Sequence, residues 1–167
     1  MKTFLKKWNS SSQLIREGWP FFLKIPLGNK IFSKLVSHFI PYTGSISPIV
    51  LSISNGEAHV QLNDKKSVRN HLKSIHAIAM ANLGEFTTGL SIISQLNDTD
   101  SAILVKLEVE YLKKARGTLI AKAKSEYHSV NTDTNIVVVA EIYNSENVVV
   151  AKVTGHWRIR PHQEKKG

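Results

Sequence analysis

A chain of 167 residues, 42% hydrophobic and 21% charged, is long enough to bury one sizeable core. It holds no cysteine, which excludes disulfide staples, thiol nucleophiles and thiolate metal sites and fits a reducing, cytoplasmic setting. The formal net charge of +9 is lopsided: residues 1 to 40 carry Lys2, Lys6, Lys7, Arg16, Lys24, Lys30 and Lys34 against Glu17 alone, a balance that suits an anionic neighbour.

Residues 1–42 read as a basic, amphipathic helical extension. Met1-Lys2 is not followed by the apolar core and small-residue cleavage site of a signal peptide, so none is expected. Within the extension, Leu27, Ile31, Leu35 and Phe39, joined by Phe32, Val36 and Ile40, recur at helical spacing, with Lys30, Ser33, Lys34 and Ser37 on the other side. Asn29 is an N-cap candidate, and Pro41 stops the helix. Such a stripe packs over a sheet or along a partner subunit. Alternatively, with Trp8, Trp19, Phe21 and Phe22 upstream, the helix makes peripheral contact with an anionic membrane.

From residue 43 the pattern turns to strands, and residues 43–162 read as one domain, with 163–167 as a tail. Ser45 to Ile53 alternates, and Asn55-Gly56 predicts a tight hairpin to the strand Glu57–Leu62. A polar link from Asn63 to Ser67 leads to a mostly apolar helix beginning near His76, with Ser74 as its candidate N-cap. After a turn over residues 97–100, strands are expected over 102–112, 118–127, 136–143 and 148–160. The apolar runs break well before about 20 residues, so no membrane-spanning helix is expected. Periodicity alone thus gives an α+β fold with about six antiparallel strands and one central helix.

The chemistry concentrates between Asn70 and Glu85. Burying a carboxylate costs several kcal/mol unless it is hydrogen-bonded or used, so Glu85 on so apolar a helix calls for either a solvated face or a function. At about 100° per residue, Ile78, Asn82, Glu85 and Gly89 fall along one face. His76 sits at the helix start, where free backbone N–H groups favour an oxyanion. The seven histidines show no chelating spacing with acids, and no metal site or cofactor is expected; His128, His156 and His162 need no special role. Basic residues are interleaved with apolar ones rather than clustered on a base-stacking surface, which argues against nucleic acid.

The order Asn70, six residues, His76, nine residues, Glu85, followed by alternating strands, resembles the hotdog-fold acyl-CoA thioesterases of the phenylacetate-pathway and 4-hydroxybenzoyl-CoA type. The resemblance covers about residues 43 to 160, and its Arg-Asn-His and Ile-His-Ala wording is similar to an uncharacterised branch of that superfamily. It implies a hotdog fold, an antiparallel sheet wrapped around a central helix, assembled as a homodimer or tetramer. It further implies that Glu85 acts as general base or nucleophile on a thioester carbonyl. Asn70 would position water or substrate across the dimer, and His76 would order the loop. The N–H groups of Ala77 and Ile78 would polarise the carbonyl, with Ser74 and Asn82 contacting substrate.

The stretch from Val109 to Gly117 resembles the turn that borders the CoA site in these enzymes. Lys113, Lys114 and Arg116 would there meet CoA phosphates, unless they are simply a solvated hairpin turn. One departure is chemical: the family carries Gly-Gly after its His, and this chain carries Ala77-Ile78, whose side chains narrow the approach to the backbone. Three readings therefore stand beside each other: an acyl-CoA thioesterase, a non-catalytic hotdog module that binds acyl-CoA, an acyl carrier or a lipid-like ligand, and a peripheral membrane or scaffold protein that uses the basic helix.

Overall fold

The computed structural model describes residues 11–97, 100–127 and 132–161. Lys2, Lys6, Lys7, Trp8, Asp98, Thr99, His128, His162 and the tail 163–167 lie outside them. The first helical run, α1, comprises Ser11–Gln13, a π-helical turn Leu14–Gly18 and Trp19–Phe22. It is followed by α2 (Gly28–Phe39), the single turn α3 (Pro41–Gly44), β1 (Ile49–Ser54), β2 (Glu57–Leu62), α4 (Ala77–Ile93), β3 (Ser101–Tyr111), β4 (Leu119–Lys124), β5 (Thr134–Tyr143) and β6 (Val149–Arg160).

The six strands form one sheet in the order β1-β2-β4-β5-β6-β3, and every neighbouring pair is antiparallel. Asn55 and Gly56, both with positive φ, close the β1–β2 hairpin as their residue types require. Helix α4 packs against all six strands, and its buried residues lie around its whole circumference rather than on one stripe. Closeness to the sheet is set by Gly84, where a Cβ would stand 2.3 Å from Val153 of β6. The expected fold, an antiparallel sheet around a central helix with an N-terminal helical extension, is the fold observed. Among the described residues, no helix is long and apolar enough to cross a membrane.

The extension belongs to the same core. Leu14, Ile15, Trp19 and Phe22 of α1 and Phe32 and Val36 of α2 are buried with the sheet residues. The Trp19 indole donates to the Ile53 carbonyl at 2.9 Å, and its ring meets Phe32 edge-on at 5.0 Å between centroids.

Several local expectations are corrected. Asn29 is not the α2 N-cap, a place taken by Leu27 in a left-handed conformation. Of the expected apolar face of α2, Phe32 and Val36 are buried and Leu35, Phe39 and Ile40 pack against the core, but Leu27 and Ile31 are exposed and Ser33, expected on the polar side, faces inward. Ser33 is inside because its hydroxyl donates to the Asn29 carbonyl and accepts the Val50 N–H, which meets the hydrogen-bond needs of a buried polar group. The first strand starts at Ile49 rather than Ser45, because residues 41–47 wind into successive turns. The link from β3 to β4 is not a hairpin. Since β3 pairs, among the described residues, only with β6 at one end of the sheet, residues 112–118 cross to the β2–β5 gap that β4 fills.

Candidate active site

The loop 69–76 is built by Asn70. Its side-chain oxygen accepts the Leu72 and Ser74 N–H groups at 2.9 and 3.1 Å, and its own N–H donates to the Ser74 carbonyl. Arg69 and Ile75 then form an antiparallel bridge, and the His76 N–H donates to the Val68 carbonyl, so the chain enters α4 from a closed loop. The oxygen of Asn70 is thus spent on the loop, while its amide nitrogen keeps no protein partner among the described residues.

The α4 N-cap is His76, not Ser74. The His76 ring Nδ1 accepts the Ile78 N–H at 3.1 Å, and the His76 carbonyl receives the N–H groups of Ala79 and Met80. That bond has a chemical consequence. The Ile78 N–H is committed within the protein, whereas the Ala77 N–H is left without an acceptor among the described residues. Ser74 is buried, and its hydroxyl has no hydrogen-bond partner there either.

Two openings flank the start of α4. One, of about 360 Å3, is lined by Asn70, Ser74, Ala77, Met80, Tyr111, Lys113 and Lys114 among others. It unites the loop amide, the helix start and two of the three predicted cations; Arg116 is exposed outside it. The Tyr111 hydroxyl donates to the Ala77 carbonyl at 3.0 Å and so ties the end of β3 to the first turn of α4. The crossover segment is held from beneath by Asp64, which pairs with Arg69 and accepts the Gly117 N–H at 2.8 Å. The Arg69 hydrogen bond and then the Gly117 N–H hold the Asp64 carboxyl below its ordinary 3.8, against the opposing effect of partial burial.

The second opening, of about 500 Å3, is lined by Ile40, Tyr42, Thr43, Ile78, Ala81, Asn82, Glu85 and Leu107. Here the predicted helix face is realised. Ile78, Asn82 and Glu85 line this opening, and Glu85 and Gly89 line a smaller apolar hollow of about 60 Å3 that reaches Phe86, Leu90 and Trp157. The Glu85 carboxylate finds no hydrogen-bond donor or cation among the described residues, and burial pushes its pKa above the ordinary 4.5. Beside it, Asn82 donates to the Tyr42 carbonyl at 3.2 Å while its side-chain oxygen is buried without a partner. An acid without a partner, partly buried in largely apolar walls, is an arrangement that can hold a water and take its proton.

Asn70 and Glu85 of one chain therefore lie at different openings, on either side of Ala77-Ile78. His76 is exposed and lines neither. Sequence reasoning missed Tyr111, Tyr42, Thr43 and Met80. Tyr111 lay in the stretch that resembles the turn bordering the CoA site but was read there only as an alternating strand residue, and Tyr42 and Thr43 lay in a segment assigned to the boundary of the extension. Among the described residues, no cluster of histidines and acids could hold a metal ion.

This architecture recurs in solved structures. A structural-genomics crystal structure is 26% identical with a TM-score of 0.76, over 90% of this chain and 98% of its own. A thioesterase from Haemophilus influenzae is 13% identical with a TM-score of 0.70, over 86% of this chain and 96% of its own. A thioesterase from Staphylococcus aureus is 16% identical with a TM-score of 0.64, over 72% and 99%. No curated protein sequence matches. The likenesses establish the hotdog fold found in thioesterases. Residues 28–159, from the start of α2 to the penultimate residue of β6, match the family described as Domain of unknown function (DUF4442), and the chain belongs to that family.

Proposed function

We propose that the protein hydrolyses acyl-CoA or related acyl thioesters as a homodimer, with Glu85 as the base or nucleophile. The observation that carries this reading is the unpaired, partly buried Glu85 carboxylate, its pKa raised by burial, at an opening of about 500 Å3 that adjoins a small apolar hollow. The Ala77 N–H and the Asn70 amide nitrogen, both free to donate, suit a thioester oxygen that gains charge at the start of α4. Lys113 and Lys114 at the same opening suit CoA phosphates.

The separation of the two openings supports the dimer. Strand β3 is an eleven-residue edge with β6 on one flank and no strand on the other among the described residues; Ile103 and Val105 on it are exposed. Its Leu107 also lines the Glu85 opening, so a second β3 paired along this edge would bring a partner's Asn70 loop toward Glu85.

One observation favours the second reading, a hotdog module that binds an acyl-CoA, acyl carrier or lipid-like ligand without turnover. The Ile78 N–H is already occupied by His76, and the exposed Ile78 side chain stands over the Glu85 opening. Thiol release from short, long and aryl acyl-CoAs separates the two. Hydrolysis predicts turnover that falls about 100-fold or more in Glu85→Gln; saturable acyl-CoA binding with no release by the native protein would leave only the binding module.

A further inference from the structure

The turn joining α1 to α2 exposes apolar side chains that neither packing nor local conformation calls for. Leu23 and Leu27 are 61% and 66% exposed, and Ile25 and Ile31 are exposed beside them. The turn itself is firm. The N–H groups of Lys24 and Ile25 bond back to Phe21 and Phe22, and that of Gly28 to Ile25. Gly28 is packed so tightly that a Cβ would overlap the Phe22 carbonyl. At Leu27 the backbone adopts φ 56, a left-handed conformation that glycine or asparagine takes at far less cost than leucine. A leucine that is strained and also solvated gains nothing for the isolated fold.

The charge beside this ridge supplies the complement. A cleft of about 350 Å3 between α2 and the β1 and β2 ends is lined by Lys30, Lys34 and Lys65, with Ser37 and Ser47 among the other residues and, among the described residues, no acid. Lys30 and Lys34 flank Ile31 on the solvent side of α2, and Lys24 lies within the apolar turn. None of these four lysines has a carboxylate partner among the described residues. Exposed aliphatic groups on a firm turn, beside unpaired ammonium groups, match the acyl and phosphate layers of an anionic bilayer. A soluble polyphosphate would use the lysines and leave the leucines unexplained.

We infer that the α1–α2 turn and the adjoining lysine cleft form a docking surface for an anionic phospholipid membrane, with Leu23 and Leu27 entering the acyl boundary and Lys30, Lys34 and Lys65 meeting lipid phosphates. The surface differs from the stripe Ile31, Leu35, Phe39 expected from periodicity, since Leu35 and Phe39 pack against the core. It also touches the candidate active site. Gly44 of α3 lines the cleft, while Tyr42 and Thr43 of the same turn line the Glu85 opening, so a docked molecule would present that opening near the bilayer.

The test is flotation of the full chain with vesicles of phosphatidylcholine alone or mixed equally with phosphatidylglycerol. Binding to the mixed vesicles only is expected. Leu27→Asn should raise Tm and yet weaken this binding, and K30S/K34S should weaken it about tenfold or more. The charge-matched K113S/K114S variant should bind like the native chain. An equal loss in K113S/K114S would reduce the effect to net charge and overturn the proposal. So would unchanged binding of Leu27→Asn, or displacement from vesicles by millimolar pyrophosphate, which would assign the cleft to a soluble polyanion. A dimer abolished by Leu27→Asn without vesicle binding would assign the surface to a second copy and likewise overturn it.

Discussion

At Glu85 the cost and the use of a buried charge can be read separately. Because burial raises the folded-state pKa above 4.5, the folded protein holds its proton more tightly than the unfolded chain, and this acid makes the fold less stable as pH rises through that window. Glu85→Gln should therefore raise the neutral-pH Tm, and the gain should vanish below about pH 4, where the carboxyl is protonated in both states. Thermal melts of both proteins from pH 3 to 8 check this. The same shift predicts an acid limb in kcat/KM centred above 4.5. Leu27 supplies the opposite case, a residue whose strain is not relieved by packing. Leu27→Asn should stabilise the chain by about 0.5–1 kcal/mol in urea unfolding, since asparagine tolerates a left-handed backbone.

Among the elements, the crossover from β3 to β4 shows how one partly exposed carboxylate can serve a remote site. Asp64 joins Arg69, at the root of the Asn70 loop, to Gly117, at the root of β4. Asp64→Ala should cost about 1–2 kcal/mol and raise KM for acyl-CoA more than it lowers kcat, because the Lys113–Lys114 segment loses an anchor while Glu85 is untouched. Steady-state kinetics beside urea melts separate the two effects. The strands were legible in the sequence from different signals: β3 and β4 alternate with period two, β5 reads as a nearly continuous apolar run, and Asn55-Gly56 announces its hairpin. Their order was not, since β3 follows α4 and yet pairs with β6, a long-range choice that no local pattern encodes. The helix face through Ile78, Asn82, Glu85 and Gly89 was legible from rotation alone. The α4 cap was not, because propensity favours serine, while the backbone of Ser74 closes onto Asn70 and leaves the capping position to His76. The inward place of Ser33 on α2 was hidden for a similar reason. Ser33 satisfies a buried N–H of β1, and a polar residue that does so reads in sequence as solvent-facing.

For the whole molecule, the decisive feature is that the chain carries half of each proposed site at each of two openings. Glu85 and Asn82 lie against the β3 edge, and Asn70, Ala77 and the lysine pair lie across the first turn of α4. Each protomer would then be inactive alone, and two complementary defects would cancel in a mixed dimer. The most direct measurement is acyl-CoA turnover by Asn70→Ala and Glu85→Gln separately and after subunit exchange. Each variant alone should fall about 100-fold or more, and an equal mixture should recover about a quarter of native activity, because half of the dimers would hold one intact site of two. A mixture that exchanges subunits and stays as inactive as its components would contradict a thioesterase site shared between Glu85 of one protomer and Asn70 of the other.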